Sequence, residues 1–143
     1  MDIEYKVILI RIGLAFLFGG IIGFERERKG RDAGLRTHIL VCMGSALIML
    51  VSLYIYELFK HETVLDPARI AAGVVTGIGF LGAGTIIRSR WGVMGLTTAA
   101  SIWISAAIGL AVGCGFIWGA FVTTIITFLT LFCLSFFEPR LQK

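Results

Sequence analysis

The chain has 143 residues, of which 57% are hydrophobic and only 15% charged, with a mean hydropathy of +0.92. A soluble domain carries about 25% charged residues, and a fold this small cannot bury such a surplus of apolar area. The net charge of +4 does not signal nucleic acid, because the basic residues collect at the ends of apolar runs, as in the loops of membrane proteins. The expected class is an all-α, polytopic integral membrane protein, a helical bundle whose main partner is the lipid bilayer.

Five apolar segments, residues 7–24, 39–56, 70–87, 93–112 and 116–137, fit the roughly 17–25 residues that a helix needs to cross a bilayer. They predict five transmembrane helices in a single domain over residues 1–143, with no soluble domain following. The first segment carries Gly13, Gly19, Gly20 and Gly23, small residues that let helix backbones approach closely. Arg11 lies about one turn inside its start. It is expected to snorkel outward and to pair with Asp66 or Glu57.

Residues 25–38 follow, with eight charged side chains among fourteen residues. Orientation in the membrane and attraction to anionic lipid explain the arginines. They do not explain Glu25 and Glu27 at the membrane boundary, or the polar entry Arg36-Thr37-His38 into the second segment. A helix continued through Arg28 would pair Glu25 with Arg28 or Lys29. The loop is expected to be structured and to carry function, with Glu25, Arg26, Glu27, Arg36, Thr37 and His38 as candidates.

Between the second and third segments, Asp66-Pro67 is a helix-start signal, and Arg69 is placed to pair with Asp66. The third segment holds Gly73, Gly77, Gly79, Gly82 and Gly84. Its match to G-x-G-x-x-G lacks the strand, the soluble helix and the acidic residue of a dinucleotide site. Two readings stay open: close helix packing, or a broken helix whose freed carbonyls line a site.

The fourth segment carries a ridge of Thr97, Ser101, Ser105, Gly109 and Gly113 at every fourth position, bordered by Thr98. That ridge predicts either a helix contact or a polar path. Gly113-Cys114-Gly115 is a minimal turn, so the last two helices should form an antiparallel pair. The odd number of cysteines, Cys42, Cys114 and Cys133, without ligand spacing, reads as apolar filler.

Nine of the thirteen Lys and Arg residues fall on the side of the first and third loops and the tail. The positive-inside rule then puts the amino terminus outside and the carboxyl terminus in the cytoplasm. No acidic side chain lies near the middle of a span, which argues against a proton-coupled pump. All carboxylates sit at edges, where Mg²⁺, keeping several waters, binds through one or two of them. No cofactor other than such an ion is expected.

The stretches GFERERKGRDAGLRTH at 23–38, DPARIAAGVVTGIGFLGAGTI at 66–86 and GLTTAASIW at 95–103 resemble the MgtC/SapB family of bacterial membrane proteins. The likeness runs in order along nearly the whole chain. It implies a five-span inner-membrane domain linked to magnesium homeostasis and to virulence or stress adaptation. It carries over Glu25, Arg26, Arg36, Thr37, His38, Asp66, Gly77, Gly79, Gly82, Gly84, Thr97 and Thr98, but only for the membrane part, not for the cytoplasmic carboxyl-terminal domain of other members. Arg69 and Ser101 join the candidates from the residues themselves. The resulting expectation is a non-enzymatic protein acting by regulation or protein contact, as a homo-oligomer, favoured as a dimer, with a membrane protein as a further partner. The alternative is a small Mg²⁺ channel or transporter.

Overall fold

A computed structural model describes the backbone of residues 5–141 except residues 63 and 91, and side chains as far as residue 133. The order is α1 (Tyr5–Arg28), α2 (Leu35–Phe59), α3 (Ala68–Ala83), a hairpin of β1 (Ile87–Ser89) and β2 (Gly92–Met94), α4 (Leu96–Cys114) and α5 (Ile117–Leu141). The apolar runs are helical because lipid offers backbone N–H and C=O groups no other partners. The described residues are thus all-α, with five helices and one short hairpin. Three helices, α1, α2 and α4, are long and apolar enough to cross a membrane; α3 and the described part of α5, Ile117–Cys133, are apolar but shorter.

Two helix ends use the same stop. After α1, Gly30 takes φ +62°, with Gly30 N–H donating to Glu27 C=O and Arg31 N–H to Arg26 C=O. After α4, Gly115 takes φ +94°, with its N–H on Val112 C=O and Phe116 N–H on Ala111 C=O. Both are the left-handed glycine cap that satisfies the last carbonyls of a helix. The second one makes the expected tight turn from α4 to α5.

α2 lies between α1 and α4, with α3 against α2 and α4, and α5 against α1 and α4. The seams are set by glycine. A Cβ on Gly19 would stand 2.6 Å from the His38 carbonyl oxygen, and one on Gly23 2.8 Å from Leu35 Cα. On the other side a Cβ on Gly113 would stand 2.6 Å from Ala46 C=O, and one on Gly109 would overlap Cys42 C=O. Two small-xxx-small faces therefore grip one central helix, the close approach that glycine permits in membranes. Ala15, Phe18, Ile22, Cys42, Ala46, Ile108, Val112 and Ala120 form the core between them. Outside that core an apolar coat faces outward, including Leu9, Phe16, Leu40, Tyr54, Phe80 and Trp118, as expected for lipid contact.

The expected third and fourth spans are redrawn. α3 is a continuous helix from Ala68 to Ala83, not broken among its glycines, and it stops at Gly84. Residues 84–90 and 92–95 leave the helix, and β1 pairs antiparallel with β2, Ile87 opposite Met94 and Arg88 opposite Val93. Gly95 closes this excursion at φ +86°, where a Cβ would strike Thr85 C=O. The expected pairing of Arg11 with Asp66 or Glu57 is replaced by a helix cap: Arg11 Nη1 donates to Gly113 C=O at 2.6 Å. A cation there meets the negative end of α4. The termini with Asp2, Glu4 and Lys143, and the side chains of Glu138 and Arg140, lie outside the described residues.

Candidate functional site

The last turn of α1, the first turn of α2 and the first two turns of α4 meet at the first-loop end of the bundle. Gly23 brings the backbones of α1 and α2 into contact there, and three of the polar residues nearby turn inward. Glu25 and Arg26 are each 3% exposed and His38 is fully buried. Buried charges are costly unless paired, and these are paired. Lys29 Nζ reaches Glu25 Oε1 at 2.6 Å, one helical turn away, and donates to Leu131 C=O of α5 at 2.9 Å. It also lies 5.3 Å from the centre of the Phe132 ring, a cation–π distance. Arg26 Nη2 donates to Thr98 Oγ1 of α4 at 3.2 Å.

His38 joins the same two helices. Its Nδ1 is 2.8 Å from Gly34 C=O and its Nε2 3.0 Å from Ser101 Oγ. A carbonyl only accepts, so Nδ1 carries a hydrogen and donates. In the neutral ring Nε2 then accepts the Ser101 hydroxyl. In the charged ring Nε2–H donates, and the Ser101 hydroxyl turns to Thr98 C=O, 2.8 Å away. Either state keeps both ring nitrogens hydrogen-bonded. Ser105 Oγ in turn donates to Ser101 C=O at 2.9 Å. Chemically the cluster is a lock: polar groups from three helices, and a backbone carbonyl from a fourth, tie the helices together at this end, although the Glu25 Oε2 and Arg26 Nε atoms are buried without a hydrogen-bond partner among the described residues.

The expected residues divide sharply. Glu25, Arg26, His38, Thr98 and Ser101 come together here. Glu27 is exposed, and its Oε2 accepts the Leu35 N–H at 2.7 Å, capping α2 from the neighbouring helix. Arg36 is exposed and Thr37 half-buried, with no side-chain hydrogen bond among the described residues. The ridge on α4 is buried from Thr98 through Ser101, Ser105, Gly109 and Gly113, while Thr97 turns outward.

The far end is different. Asp66 Oδ1 accepts the Ala68 N–H at 2.8 Å, so its cap is made, but Asp66 forms no ion pair with Arg69. Ser52 donates to Pro67 C=O and ties α2 to the start of α3. Gly73, Gly77 and Gly79 have nothing within 4 Å of where a Cβ would stand. Gly82 meets Ala99 at ordinary contact, 3.6 Å, and Gly84 is the end cap of α3. Within one chain, the close packing expected of Gly77 and Gly79 is not made. A groove of about 340 Å³ runs instead between α2 and α3, lined among others by Gly44, Ser45, Gly73 and Gly77.

Lys29, Ser105 and the Gly34 and Leu131 carbonyls are the members of the cluster not among the expected candidates. The four-residue spacing from Glu25 signalled Lys29; no sequence feature signals a particular carbonyl. Among the described residues, no three His, Cys, Asp or Glu side chains gather as metal donors.

The model of the MgtC family matches residues 12–140. The chain is 49% identical to "Putative magnesium transporter YhiD" of Escherichia coli K12 over 124 residues, 82% of this chain and 58% of that protein. Protein SrpB of Synechococcus elongatus is 45% identical over 141 residues, covering 93% of this chain and 75% of SrpB. Protein SapB of Bacillus subtilis is 39% identical over 127 residues, covering 87% and 55%. The chain thus spans little more than half the length of YhiD and SapB. No solved structure matches it.

Proposed function

The chain belongs to the MgtC family, and from that premise we propose that it is a non-enzymatic regulator acting through protein contacts in magnesium homeostasis. It sits in the bacterial inner membrane with five spans, amino terminus outside and first loop in the cytoplasm, as a homo-oligomer. The basic first and third loops support this orientation. The names given to YhiD and to the MgtC proteins of Brucella support the magnesium link.

One observation carries the preference for contact over transport. The Thr98–Ser101–Ser105 ridge, the polar face a path would need, is buried against α2 with its hydroxyls occupied. The surfaces left open are of a contacting kind: the glycine face of α3, and the exposed first-loop arginines Arg28, Arg31 and Arg36. Small residues bring membrane helices together, and arginine is enriched at protein interfaces.

The second reading, a Mg²⁺ transporter, is favoured by the name of YhiD. Flux into liposomes separates the two. Mg²⁺ uptake by purified protein that vanishes in Gly79→Leu overturns the contact reading. No uptake, with Arg36→Ala releasing a co-purifying membrane protein, overturns transport.

A further inference from the structure

The hairpin of β1 and β2 has no cover. Ile87 is 61% exposed, Met94 65% and Val93 49%, and the exposed apolar surface runs on into Phe80 and Leu96. A two-stranded ribbon alone is marginal in water, so this one needs a surface to lie on.

Its position supplies one. Thr98, three residues into α4, bonds to Arg26, so the hairpin shares the end of the bundle that carries the first loop. α3, which leads into it, has 16 residues, about 24 Å at 1.5 Å per residue. The hydrocarbon core is about 30 Å thick. A chain that leaves α3 at Ala83 is therefore still at the depth of the acyl–headgroup boundary when it turns into β1. The ladder pairs inner backbone groups there, as apolar surroundings require.

Charge fixes the partner. Ile87 and Met94 are cross-strand partners and share one face; Arg88 is opposite Val93 on the other. Arg88 and Arg90 are exposed and have no acidic partner among the described residues. An apolar face with adjacent arginines matches acyl chains beneath anionic phosphates.

We infer that the hairpin is a binding element for anionic lipid, with Ile87 and Met94 in the acyl boundary and Arg88 and Arg90 on headgroup phosphates. This rests on the membrane-spanning placement of α1, α2 and α4, which vesicle flotation tests separately.

The test is amide hydrogen exchange of residues 86–96 in the full chain, reconstituted in phosphatidylethanolamine–phosphatidylglycerol vesicles or in phosphatidylcholine alone. Exchange should be slower in the anionic vesicles, and the difference should fall as salt rises. Arg88→Ala and Arg90→Ala should each lose about fivefold in protection, while Arg88→Lys keeps it. Unchanged protection of α1 and α2 in each variant shows that the bundle is intact. Equal exchange in the two vesicles, or no effect of either alanine variant, overturns the inference. Protection arising only when soluble protein is added also overturns it, because the strand edge then pairs with a protein. A chain that floats with an indifferent hairpin removes this inference alone. A chain that does not float removes the membrane placement with it.

Discussion

Two sets of glycines on this chain have met opposite fates. Gly19, Gly23, Gly109 and Gly113 are pressed against the backbone of α2, with no room for one more carbon. Gly73, Gly77 and Gly79 of α3 face nothing. Gly73 and Gly77 share the four-residue spacing of Gly19 and Gly23 and of Gly109 and Gly113, so spacing predicts that a face is able to receive a helix, not that it has received one. On one side the bundle of α1, α2 and α4 is complete within a single chain, closed at the first-loop end by the Glu25–Lys29, Arg26–Thr98 and His38–Ser101 pairs. On the other side the glycine face of α3 is left unpacked by the chain itself.

The packed seams fail first at their tightest point, Gly109. Gly109→Leu should prevent a stable fold, since the side chain meets a carbonyl of α2 rather than a movable side chain. The expected loss exceeds about 3 kcal/mol, the upper part of the range for overpacking, and shows as failure to recover monodisperse protein in mild detergent. Lys29→Ala comes next. It leaves the Glu25 carboxylate, 3% exposed, without its cation, and removal of one partner from a buried pair costs about 3 kcal/mol or more. Thermal unfolding reads it, and Glu25→Gln added to Lys29→Ala should restore part of the loss. His38→Ala is smaller, about 1–3 kcal/mol, the scale of a buried hydrogen-bonding group left unmatched. Because His38 and Ser101 share one bond, His38→Ala and Ser101→Ala should be non-additive in a double-mutant cycle. The opposite region sharpens the contrast. Gly77→Leu should leave the unfolding of the monomer intact yet shift the oligomeric state in mild detergent, which light scattering measures.

Much of this was legible in the sequence, and the reasons differ by residue. The apolar runs foretold the helices because hydrocarbon permits little else. The turn at Gly113-Cys114-Gly115 and the reach from Glu25 to Lys29 are local, and local geometry is what spacing encodes. The pairing of His38 with Ser101 spans 63 positions; each was visible as a polar residue at an apolar margin, but nothing in either predicts the other. Thr97 and Thr98 differ by a rotation of about 100° on the helix, and only the packed neighbour decides which one turns inward. The hairpin was missed because Ile86-Ile87 and Val93-Met94 extend the apolar runs beside them. Its signal was the glycine pair Gly92 and Gly95, both at positive φ, next to Arg88-Ser89-Arg90. Arg11 was misread because a helix end formed by residues a hundred positions away offers a carbonyl that no local pattern announces.

The α1–α2–α4 seams are finished within one chain, while the glycine face of α3 meets nothing in it. The most direct measurement is the unfolding temperature of Gly109→Ala and Gly77→Ala, compared with the unaltered chain as monomers in the same detergent. A clear fall is expected for Gly109→Ala and no fall for Gly77→Ala, which should gain up to about 1 kcal/mol of helix propensity. Equal losses in both, or a loss confined to Gly77→Ala, would contradict it.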